Sequence, residues 1–386
     1  MTTKVLPNTW IELNRDAFVN NFMALSRVVA PAKIMAVVKA DGYGLGLTHI
    51  LSVIQQLPCE WLGVNDVWEA EKVREQGYRG FVLVIGPLQP NHLSLASQLS
   101  VHVTLANHKV LSTWLDMTSP PPGHLKCDTG MNRQGFFLEE LSDIMGRIKN
   151  KSLLHAVTGL MSHLSNESGS IDQQLARLNT AQKICAQYDL KPISHISASH
   201  GVLTHPASHL DMVRCGISLY GYWPYSTTKK HLAKEHGHLL QQLTPIIKWK
   251  THIIQIKSIR PGDAIGYQGT YKAKSHMTIA VIAIGYHYGY RIRPTSYGKA
   301  HVLVRGQRCP FVGKISMNTA TIHLPPVIDF AEGDQVTLIG TSSGDSSSQL
   351  NSESLEITLD DLAAWCHTSI FETLTMLHPS IQRILV

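Results

Sequence analysis

The chain has 386 residues, of which 44% are hydrophobic and 16% charged, and its formal net charge at neutral pH is +6. This is the composition of an ordinary globular protein, long enough for two domains or for one barrel with a smaller partner. No stretch combines dense Lys and Arg with interleaved aromatic residues, so binding to nucleic acid is not predicted. No apolar run is long enough to span a membrane, and the first residues lack the apolar core of a signal peptide, so no membrane association is predicted.

The cysteines indicate a reducing compartment. They are widely spaced and include no CxxC pair, at Cys59, Cys127, Cys185, Cys215, Cys309 and Cys366. Reduced thiols of this kind predict a cytoplasmic protein. The histidines show no metal-binding spacing, so no metal is predicted. Three of them, His231, His236 and His238, lie in a polar stretch that we interpret as a connector.

The first half of the chain alternates short apolar runs with segments of helical spacing. The eight apolar runs cover residues 34–38, 61–64, 81–85, 101–105, 124–127, 156–161, 193–197 and 213–219. Eight strands alternating with helices over about 200 residues predict an α/β fold, a (β/α)8 TIM barrel. The alternative is a doubly wound open sheet, but that fold would require a GxGxxG loop after its first strand, and GYGLG does not match it.

The second half of the chain has a different pattern. Beyond the connector, β-branched strand-like runs are separated by glycines, with no long helical period until near the end. We therefore predict a barrel domain over residues 1–240 and a mainly β domain over 241–386, and the first dozen residues could pair with the β domain. The serine-rich stretch 341–354 is predicted to be a loop.

The stretch VVKADGYGLG raises the question of what Lys39 does. It follows an apolar strand and precedes a loop with three glycines. A lysine at such a place is either a surface residue whose amine reaches water or an amine used in chemistry. The stretch alone favours a surface lysine, so the choice between the two interpretations depends on the rest of the sequence.

Other polar residues fall at the carboxyl ends of the predicted strands, where barrel enzymes place their active sites. They are Lys39 after the first strand, Lys126 and Arg133 around the fifth, His163 after the sixth, Ser199 after the seventh, and Arg214 with Gly216 at the eighth. The loops after strands seven and eight often bind phosphate, and Ser199, Gly216 and Ile217 are suitably placed. A phosphate site together with a lysine suggests pyridoxal 5'-phosphate, which needs an amine, a phosphate anchor and a partner for its ring nitrogen.

Seven motifs, in order along the chain, resemble those of the alanine racemases, a family of pyridoxal phosphate enzymes with a barrel and a β domain. They are VVKADGYGLG, KCDTGMNRQGF, SHLS, ISASHG, DMVRCGISLYG, IGYQGTY and VGKISMN, and the resemblance extends from about Ile11 to Leu374. It implies a cytoplasmic homodimer with shared active sites that interconverts L-alanine and D-alanine, supplying D-alanine for peptidoglycan.

The resemblance also implies a role for each barrel residue. Lys39 would bind the cofactor as a Schiff base, and Tyr43, Ser199, Gly216 and Ile217 would hold its phosphate. Arg214 would face the pyridine nitrogen, with His163 between Arg214 and a tyrosine. Arg133 would contact the phenolic oxygen of the cofactor and the carboxylate of the substrate. Lys126 matches a position that is often carbamylated in the family, where the new carboxylate holds Arg133 in place.

Three residues of the β domain would complete the site. Tyr267 would be the second acid/base group, reaching the partner subunit's Lys39, while Tyr286 and the backbone N–H of Met317 would line the substrate end. Racemisation removes a proton from one face of the α-carbon and returns one to the other, so two opposed groups, Lys39 and Tyr267, suit it. Arg214 can only donate hydrogen bonds, which leaves the cofactor a weaker electron sink and favours racemisation over decarboxylation.

Three departures from the family pattern concern the cofactor and the substrate entrance. Phe371 stands where a tyrosine usually helps to hold the phosphate, Asn318 replaces an aspartate, and GYHYGY replaces the usual GYADG or GYGDG. Two alternatives therefore stay open: a racemase of broader or different specificity, for serine or basic amino acids, and a pyridoxal phosphate carrier without catalysis. A carrier would have no need of a β domain bearing Tyr267.

Overall fold

The computed structural model describes residues 7–165, 167, 169–225, 243–293, 298–342 and 355–386. The chain forms two units. One is the predicted barrel, with residues 16–42 and 47–245, and the other is a mainly β unit with residues 1–15, 43–46 and 246–386. The first strand, β1 (Thr9–Leu13), therefore belongs to the β unit although it lies at the N-terminus.

The barrel unit contains eight parallel strands, which confirms the predicted fold. They are β2 (Lys33–Val37), β3 (Trp61–Val64), β4 (Phe81–Val84), β5 (His102–Leu105), β6 (Gly123–Lys126), β7 (Val157–Met161), β8 (Ile193–His195) and β9 (Met212–Cys215). Each pairs with its neighbours in the order β8-β7-β6-β5-β4-β3-β2-β9. A bridge between Ala198 and Arg214 links the two outer strands, so the barrel is nearly closed.

Helices follow most of these strands because apolar residues at helical spacing must be covered by the sheet. Helices of the barrel unit span Arg15–Val29, Leu47–Ile54, Val67–Glu75, His92–Gln98, His108–Asp116, Leu141–Asn150, Ile171–Ala186 and Ser199–Thr204. The helix Val67–Glu75 begins after Asp66, whose side chain accepts a hydrogen bond from the backbone N–H of Glu69 and so caps the helix.

Large apolar side chains fill part of the barrel interior. Met35, Trp61, Leu83, Met161 and Met212 form one buried cluster. A barrel filled in this way is a packed core and not a pore, so its chemistry is confined to the loops at the strand ends.

The β unit is built around the long strand β10 (Ile247–Ile259). The other strands are β11 (Ala264–Ile265), β12 (Tyr271–Lys272), β13 (Met277–Ile282), β14 (His301–Val304), β15 (Gln307–Pro310), β16 (Ala320–Leu324), β17 (Gln335–Thr341), β18 (Glu356–Ile357) and β19 (Gln382–Leu385), with helices Leu359–Cys366 and Ile370–Thr375. β1 pairs antiparallel with β10 and parallel with β19. Of the first dozen residues, those that the structure describes in β1 thus pair with two strands of the β unit, β10 and β19.

The division of the chain differs in two details from the expected boundary at 240/241. The C-terminal part of the β unit begins at Ile246 and not at residue 241. The β unit also includes the glycine-rich segment 43–46. That segment is held by the β unit because the carbonyl of Gly44 accepts a 2.7 Å hydrogen bond from Arg383. The connector with His231, His236 and His238, and most of the serine-rich stretch 341–354, lie outside the described residues. Among the described residues, no helix is both long and apolar enough to cross a membrane.

Candidate active site

Most of the polar residues selected from the sequence lie at one end of the barrel strands. Lys39 comes two residues after β2, Lys126 is the last residue of β6, and His163 comes two residues after β7. Arg214 lies in β9 and Ser199 begins the helix that follows β8. Parallel strands bring their carboxyl ends to the same face of a barrel, so one site can use all five side chains.

The loop that carries Lys39 has an unusual backbone. Ala40, Asp41, Gly42 and Tyr43 all have φ between 54° and 64°, the left-handed region that disfavours residues with side chains. The carboxylate of Glu69 stabilises this conformation. One of its oxygens accepts hydrogen bonds from the backbone N–H groups of Ala40 at 2.6 Å and of Asp41 at 3.4 Å.

Sequence analysis missed the role of Glu69. The residue lies in the first turn of a capped helix, where an acidic residue is common for helix stability alone. Its other oxygen accepts a hydrogen bond from the backbone N–H of Asn65 at 2.7 Å. Glu69 therefore connects the loop after β3 with the loop after β2, a contact between distant segments that no local pattern contains.

The two lysines of the site have lowered pKa values. Burial lowers the pKa of Lys39, the Arg133 charge lowers it further, and the Glu69 carboxylate partly opposes this. Burial also lowers the pKa of Lys126 to about 8, with further contributions from Arg214 and Arg133. Lys126 is 5% exposed, and its amine donates to the side-chain oxygen of Gln134 at 3.2 Å. Both lysines thus lose their protons more readily than a lysine in water.

Arg214 is a buried guanidinium that the barrel holds by several hydrogen bonds. Its Nη2 donates to the carbonyls of Ser162 at 2.7 Å and Ile196 at 2.9 Å, and its Nη1 donates to the His195 carbonyl at 3.1 Å. Burial lowers the pKa of Arg214 to about 10, so it stays charged at neutral pH. Its Nε takes part in none of these bonds and is left to serve another acceptor.

His163 lies against Arg214, as the sequence-based hypothesis requires. Its Nδ1 is 3.1 Å from Nη2 of Arg214. Burial, followed by the charge of Arg214, lowers the pKa of His163 to about 3. The imidazole is therefore neutral at pH 7. Because a guanidinium can only donate, Nδ1 is an acceptor that shares the two Nη2 hydrogens with the carbonyls of Ser162 and Ile196, and the proton of His163 is on Nε2.

Arg133 lies in a tight loop between Cys127 and Phe136. The Asp128 carboxylate holds this loop by accepting from the backbone N–H groups of Gly130 at 2.9 Å and Arg133 at 3.1 Å. Asp128, like Glu69, was not selected from the sequence, because its role depends on backbone contacts. The loop keeps the backbone of Arg133 fixed and its side chain exposed.

The loops after β8 and β9 meet at Ser199. Its Oγ accepts hydrogen bonds from the backbone N–H groups of Gly216 at 3.1 Å and Ser218 at 3.4 Å. Ile217 lies between them and is buried. The hydroxyl of Ser218 is also buried and has no hydrogen-bond partner. A buried hydroxyl of this kind is costly unless a ligand satisfies it. Sequence analysis did not select Ser218.

The remaining selected residues belong to the β unit. Tyr267 follows Gly266 in a short turn and is 69% exposed, and Tyr286 and Met317 are also exposed. The backbones of the last two segments are joined, since His287 donates to the Met317 carbonyl at 3.0 Å. Tyr43 begins the segment 43–46, which is grouped with this unit.

The sequence matches the models of two protein domains. Residues 13–224 match "Alanine racemase, N-terminal domain", and residues 246–385 match "Alanine racemase, C-terminal domain". An alanine racemase of Methylacidiphilum infernorum is 31% identical over 383 residues, which cover 98% of this chain and 92% of the relative. An alanine racemase of Symbiobacterium thermophilum is 31% identical over 379 residues, which cover 94% of this chain and 93% of the relative.

The solved structures give the same result. The crystal structure of alanine racemase from Bacillus anthracis with bound L-Ala-P has a TM-score of 0.86 and 26% identity to this chain. The match covers 100% of this chain and 96% of that one. Both halves of the sequence and the complete fold therefore agree: the chain belongs to the alanine racemase family, whose members are pyridoxal phosphate-dependent isomerases.

Proposed function

We propose that this protein interconverts L-alanine and D-alanine with pyridoxal 5'-phosphate as its cofactor, and so supplies D-alanine for peptidoglycan. The observation that carries the proposal is the set of four cationic side chains at one end of the barrel: Lys39, Lys126, Arg133 and Arg214. Each of the two lysines has its pKa lowered by both arginines. Cations placed so close together require anionic ligands, and a phosphorylated cofactor and an amino-acid carboxylate supply them.

The residues present fit the cofactor at three points. Lys39 offers an amine of lowered pKa, and a Schiff base forms only from the neutral amine. The unpartnered hydroxyl of Ser218, beside Ser199, Gly216 and Ile217, offers a donor for the phosphate. The Nε of Arg214 offers a donor to the ring nitrogen. When bound, pyridoxal phosphate supplies an electron sink that makes the α-proton of an amino acid acidic.

Lys39 and Tyr267 would act on opposite faces of the α-carbon. The amine of Lys39 would hold or release the α-proton on one face, and its lowered pKa favours the neutral amine that can accept this proton. The phenol of Tyr267 of the partner subunit would hold or release a proton on the other face of the α-carbon. His163 supports this role because its Nε2–H is a hydrogen-bond donor directed away from Arg214, and such a donor favours the phenolate form of a tyrosine.

The nature of Arg214 favours racemisation among the reactions of this cofactor. A guanidinium always carries its protons, so Arg214 would donate a hydrogen bond to the ring nitrogen of the cofactor and could not deliver a proton to it. A cofactor bound in this way would be a weaker electron sink than one with a protonated ring nitrogen. This supports a proton exchange at the α-carbon over reactions that need a long-lived carbanion.

Arg133 and Lys126 would bind and orient the substrate carboxylate. Arg133 has an exposed side chain on a loop fixed by Asp128, so it can reach a substrate. Lys126 as a free amine repels Arg133, whereas a carbamate on Lys126 would attract it. The pKa of about 8 leaves a useful fraction of neutral amine for the reaction with carbon dioxide. Tyr286 and the N–H of Met317 would line the substrate end, and Tyr43 would bind the phosphate.

We further propose that the active protein is a cytoplasmic homodimer. The exposure of Tyr267, at 69%, is unusual for a tyrosine with a catalytic role and supports its use by a second subunit. All six cysteines are free and buried, which supports a reducing compartment.

The deciding experiment follows the chirality of alanine. Purified protein with pyridoxal phosphate is incubated with pure L-alanine and, separately, with pure D-alanine. Convergence of both on an equal mixture, lost in Lys39→Ala and kept in Lys33→Ala, would support the proposal. Lys33 is a suitable control because it begins the strand that precedes Lys39 and makes an exposed ion pair with Glu60. If serine or a basic amino acid racemised faster than alanine, the proposed specificity for alanine would be wrong. If the protein retained the cofactor but racemised no amino acid, it would be a pyridoxal phosphate carrier.

A further inference from the structure

Three buried histidines follow one another inside the barrel, and the proposed function uses none of them. His102 is the first residue of β5, His124 the second of β6 and His195 the last of β8. All are buried, with exposures of 8%, 0% and 0%. Nδ1 of His124 is 2.9 Å from Nε2 of His195, and Nε2 of His124 is 3.2 Å from Nδ1 of His102. Imidazoles at these distances are hydrogen-bonded to each other.

Arg214 fixes the direction of every hydrogen bond in this series. Its Nη1 donates to Nδ1 of His195 at 2.7 Å. A guanidinium has no acceptor, so Nδ1 of His195 must be unprotonated and its proton must be on Nε2. That proton is donated to Nδ1 of His124. By the same reasoning the proton of His124 is on Nε2 and is donated to Nδ1 of His102.

The charge state of the three rings agrees with this assignment. Burial lowers the pKa of His102 to about 4 and brings the pKa values of His124 and His195 well below the usual range. The Arg214 charge adds to the effect on His124 and His195, and Arg74 adds to the effect on His102. A doubly protonated ring would leave two donors facing each other, so the neutral form is the one that satisfies all the bonds.

Gly159 provides the space that the series needs. It lies on β7, between the strands of His124 and His195, and it is the register partner of His124. A Cβ atom at this position would lie 2.1 Å from Nδ1 of His124, far inside van der Waals contact. Gly159 is not among the residues with positive φ, so its backbone conformation does not require glycine. A side chain is absent at Gly159 because the imidazole ring of His124 occupies the space where a Cβ atom would lie.

We propose that His195, His124 and His102 form a one-way chain of neutral imidazoles that positions Arg214. In the described part of the chain, no ion pair includes this buried guanidinium. The histidine chain compensates for the missing carboxylate, because each ring directs the unprotonated, negative end of its dipole towards Arg214. The three rings are positioning residues: they keep the guanidinium in one orientation and Nε free. The consequence for catalysis rests on the proposed function.

The first test needs no cofactor. Nitrogen NMR of the apoprotein labelled with ¹⁵N-histidine distinguishes protonated from unprotonated ring nitrogens. The expected result at pH 7 is a proton on Nε2 and none on Nδ1 in all three rings. An Nδ1 proton on any of the three rings, or an imidazolium at any of the three positions, would overturn the proposal whatever reaction the protein catalyses.

The second test breaks the chain in two ways. His124→Leu removes both hydrogen bonds, and His124→Gln keeps one acceptor and one donor at similar separation. Gly159→Ala displaces the ring of His124 while leaving all three histidines in the sequence. Met35→Leu is the matched control, because Met35 is a buried interior residue whose register partner is Arg214 and which has no role in the chain.

The expected result is a kcat reduced about tenfold in His124→Leu and Gly159→Ala, as is common when a supporting partner of an active-site residue is lost. KM for alanine should stay within about twofold, and His124→Gln and Met35→Leu should behave as the wild type. Equal losses in His124→Leu and His124→Gln, or in Met35→Leu, would assign the effect to packing and reject the proposal. If His124→Leu does not fold, Gly159→Ala and the NMR result decide. If the wild-type protein racemises no amino acid, the proposed function is wrong, and the NMR experiment alone tests the histidine chain.

Discussion

The carboxylate of Glu69 accepts a 2.6 Å hydrogen bond from the backbone N–H of Ala40, the residue that follows Lys39. Lys39 is thus attached to a left-handed loop that depends on a carboxylate 30 residues further along the chain (69 − 39). The same carboxylate raises the pKa of Lys39 and opposes the lowering by burial. Glu69 therefore controls both the position and the basicity of the lysine.

Replacement of Glu69 is expected to affect stability and the lysine together. Glu69→Gln keeps one acceptor oxygen but loses the second, so one of the backbone donors on Ala40 or Asn65 is left without its partner. The free energy of unfolding should fall by about 1 to 3 kcal/mol. The pKa of Lys39 should also fall, because the negative charge that raises it is removed, and a pH titration of Schiff-base formation with pyridoxal phosphate measures this.

Glu71→Gln is the control for that experiment, since it removes the same charge from the same helix without a hydrogen bond to the lysine loop. It should leave the titration of Lys39 unchanged. Equal effects of the two substitutions would mean that Glu69 acts only through the net charge of the helix.

The stability of the protein should depend on pH through Lys126. Its pKa is about 8 in the folded protein and 10.5 in an ordinary lysine, so the unfolded chain binds the proton more tightly. Below pH 8 the buried ammonium lowers the free energy of unfolding by the full amount. This loss of stability disappears as the pH rises through 10.5. In buffer free of carbon dioxide, urea unfolding at pH 7 should therefore give Lys126→Met a free energy of unfolding about 3 kcal/mol higher than that of the wild type. This advantage should shrink between pH 8 and 9.5, and a constant difference would contradict the lowered pKa.

The same amine is expected to form a carbamate when carbon dioxide is present. A neutral amine is the reactive form, and the lowered pKa increases its fraction at neutral pH. Carbon NMR of the protein in ¹³C-bicarbonate should show one carbamate signal that is absent in Lys126→Met and retained in Lys151→Met, which removes an exposed lysine. Absence of the signal in the wild type would leave Lys126 as a free amine bonded to Gln134.

Phe371 offers a test of cofactor retention. The resemblance to the family implies a tyrosine at this position whose hydroxyl would help to hold the phosphate, and Phe371 has no such group. Phe371→Tyr should lower the dissociation constant of pyridoxal phosphate about tenfold, the effect of one hydrogen bond to a charged group. Fluorescence titration of the apoprotein measures the constant. If it is unchanged, the hydroxyl has no role in this protein.

The sequence predicted the fold well because its signals are local. All eight barrel strands lie within the predicted apolar runs or within a residue of them, since parallel strands buried on both faces are continuously apolar. Two of the runs, 193–197 and 213–219, continue beyond their strands, because the buried loops that follow are as apolar as the strands. The attachment of segment 43–46 to the β unit was not predictable, because it depends on a hydrogen bond between Gly44 and Arg383, which are distant in sequence.

The supporting residues of the site escaped prediction for the same reason. Lys39, Arg214 and Ser199 lie in motifs that can be recognised by their order. Glu69 and Asp128 act by accepting hydrogen bonds from backbone N–H groups, and such acceptors have no sequence pattern beyond being acidic. The histidine chain was hidden because His102, His124 and His195 are each ordinary strand residues when taken singly. Only the folded barrel brings their rings into line.

The shared active site can be tested by mixing two inactive variants. Lys39→Ala and Tyr267→Phe should each abolish racemisation, because each removes one of the two groups that exchange the α-proton. If Tyr267 serves the partner subunit's Lys39, a mixed dimer contains one site with both residues intact and one site with neither. Unfolding and refolding the two variants together at equal concentration should then restore about a quarter of the wild-type activity, since half of the dimers are mixed and each has one good site. Separate refolding of each variant is the control. No recovery in mixed samples that are shown to contain mixed dimers would mean that Lys39 and Tyr267 of the same chain work together.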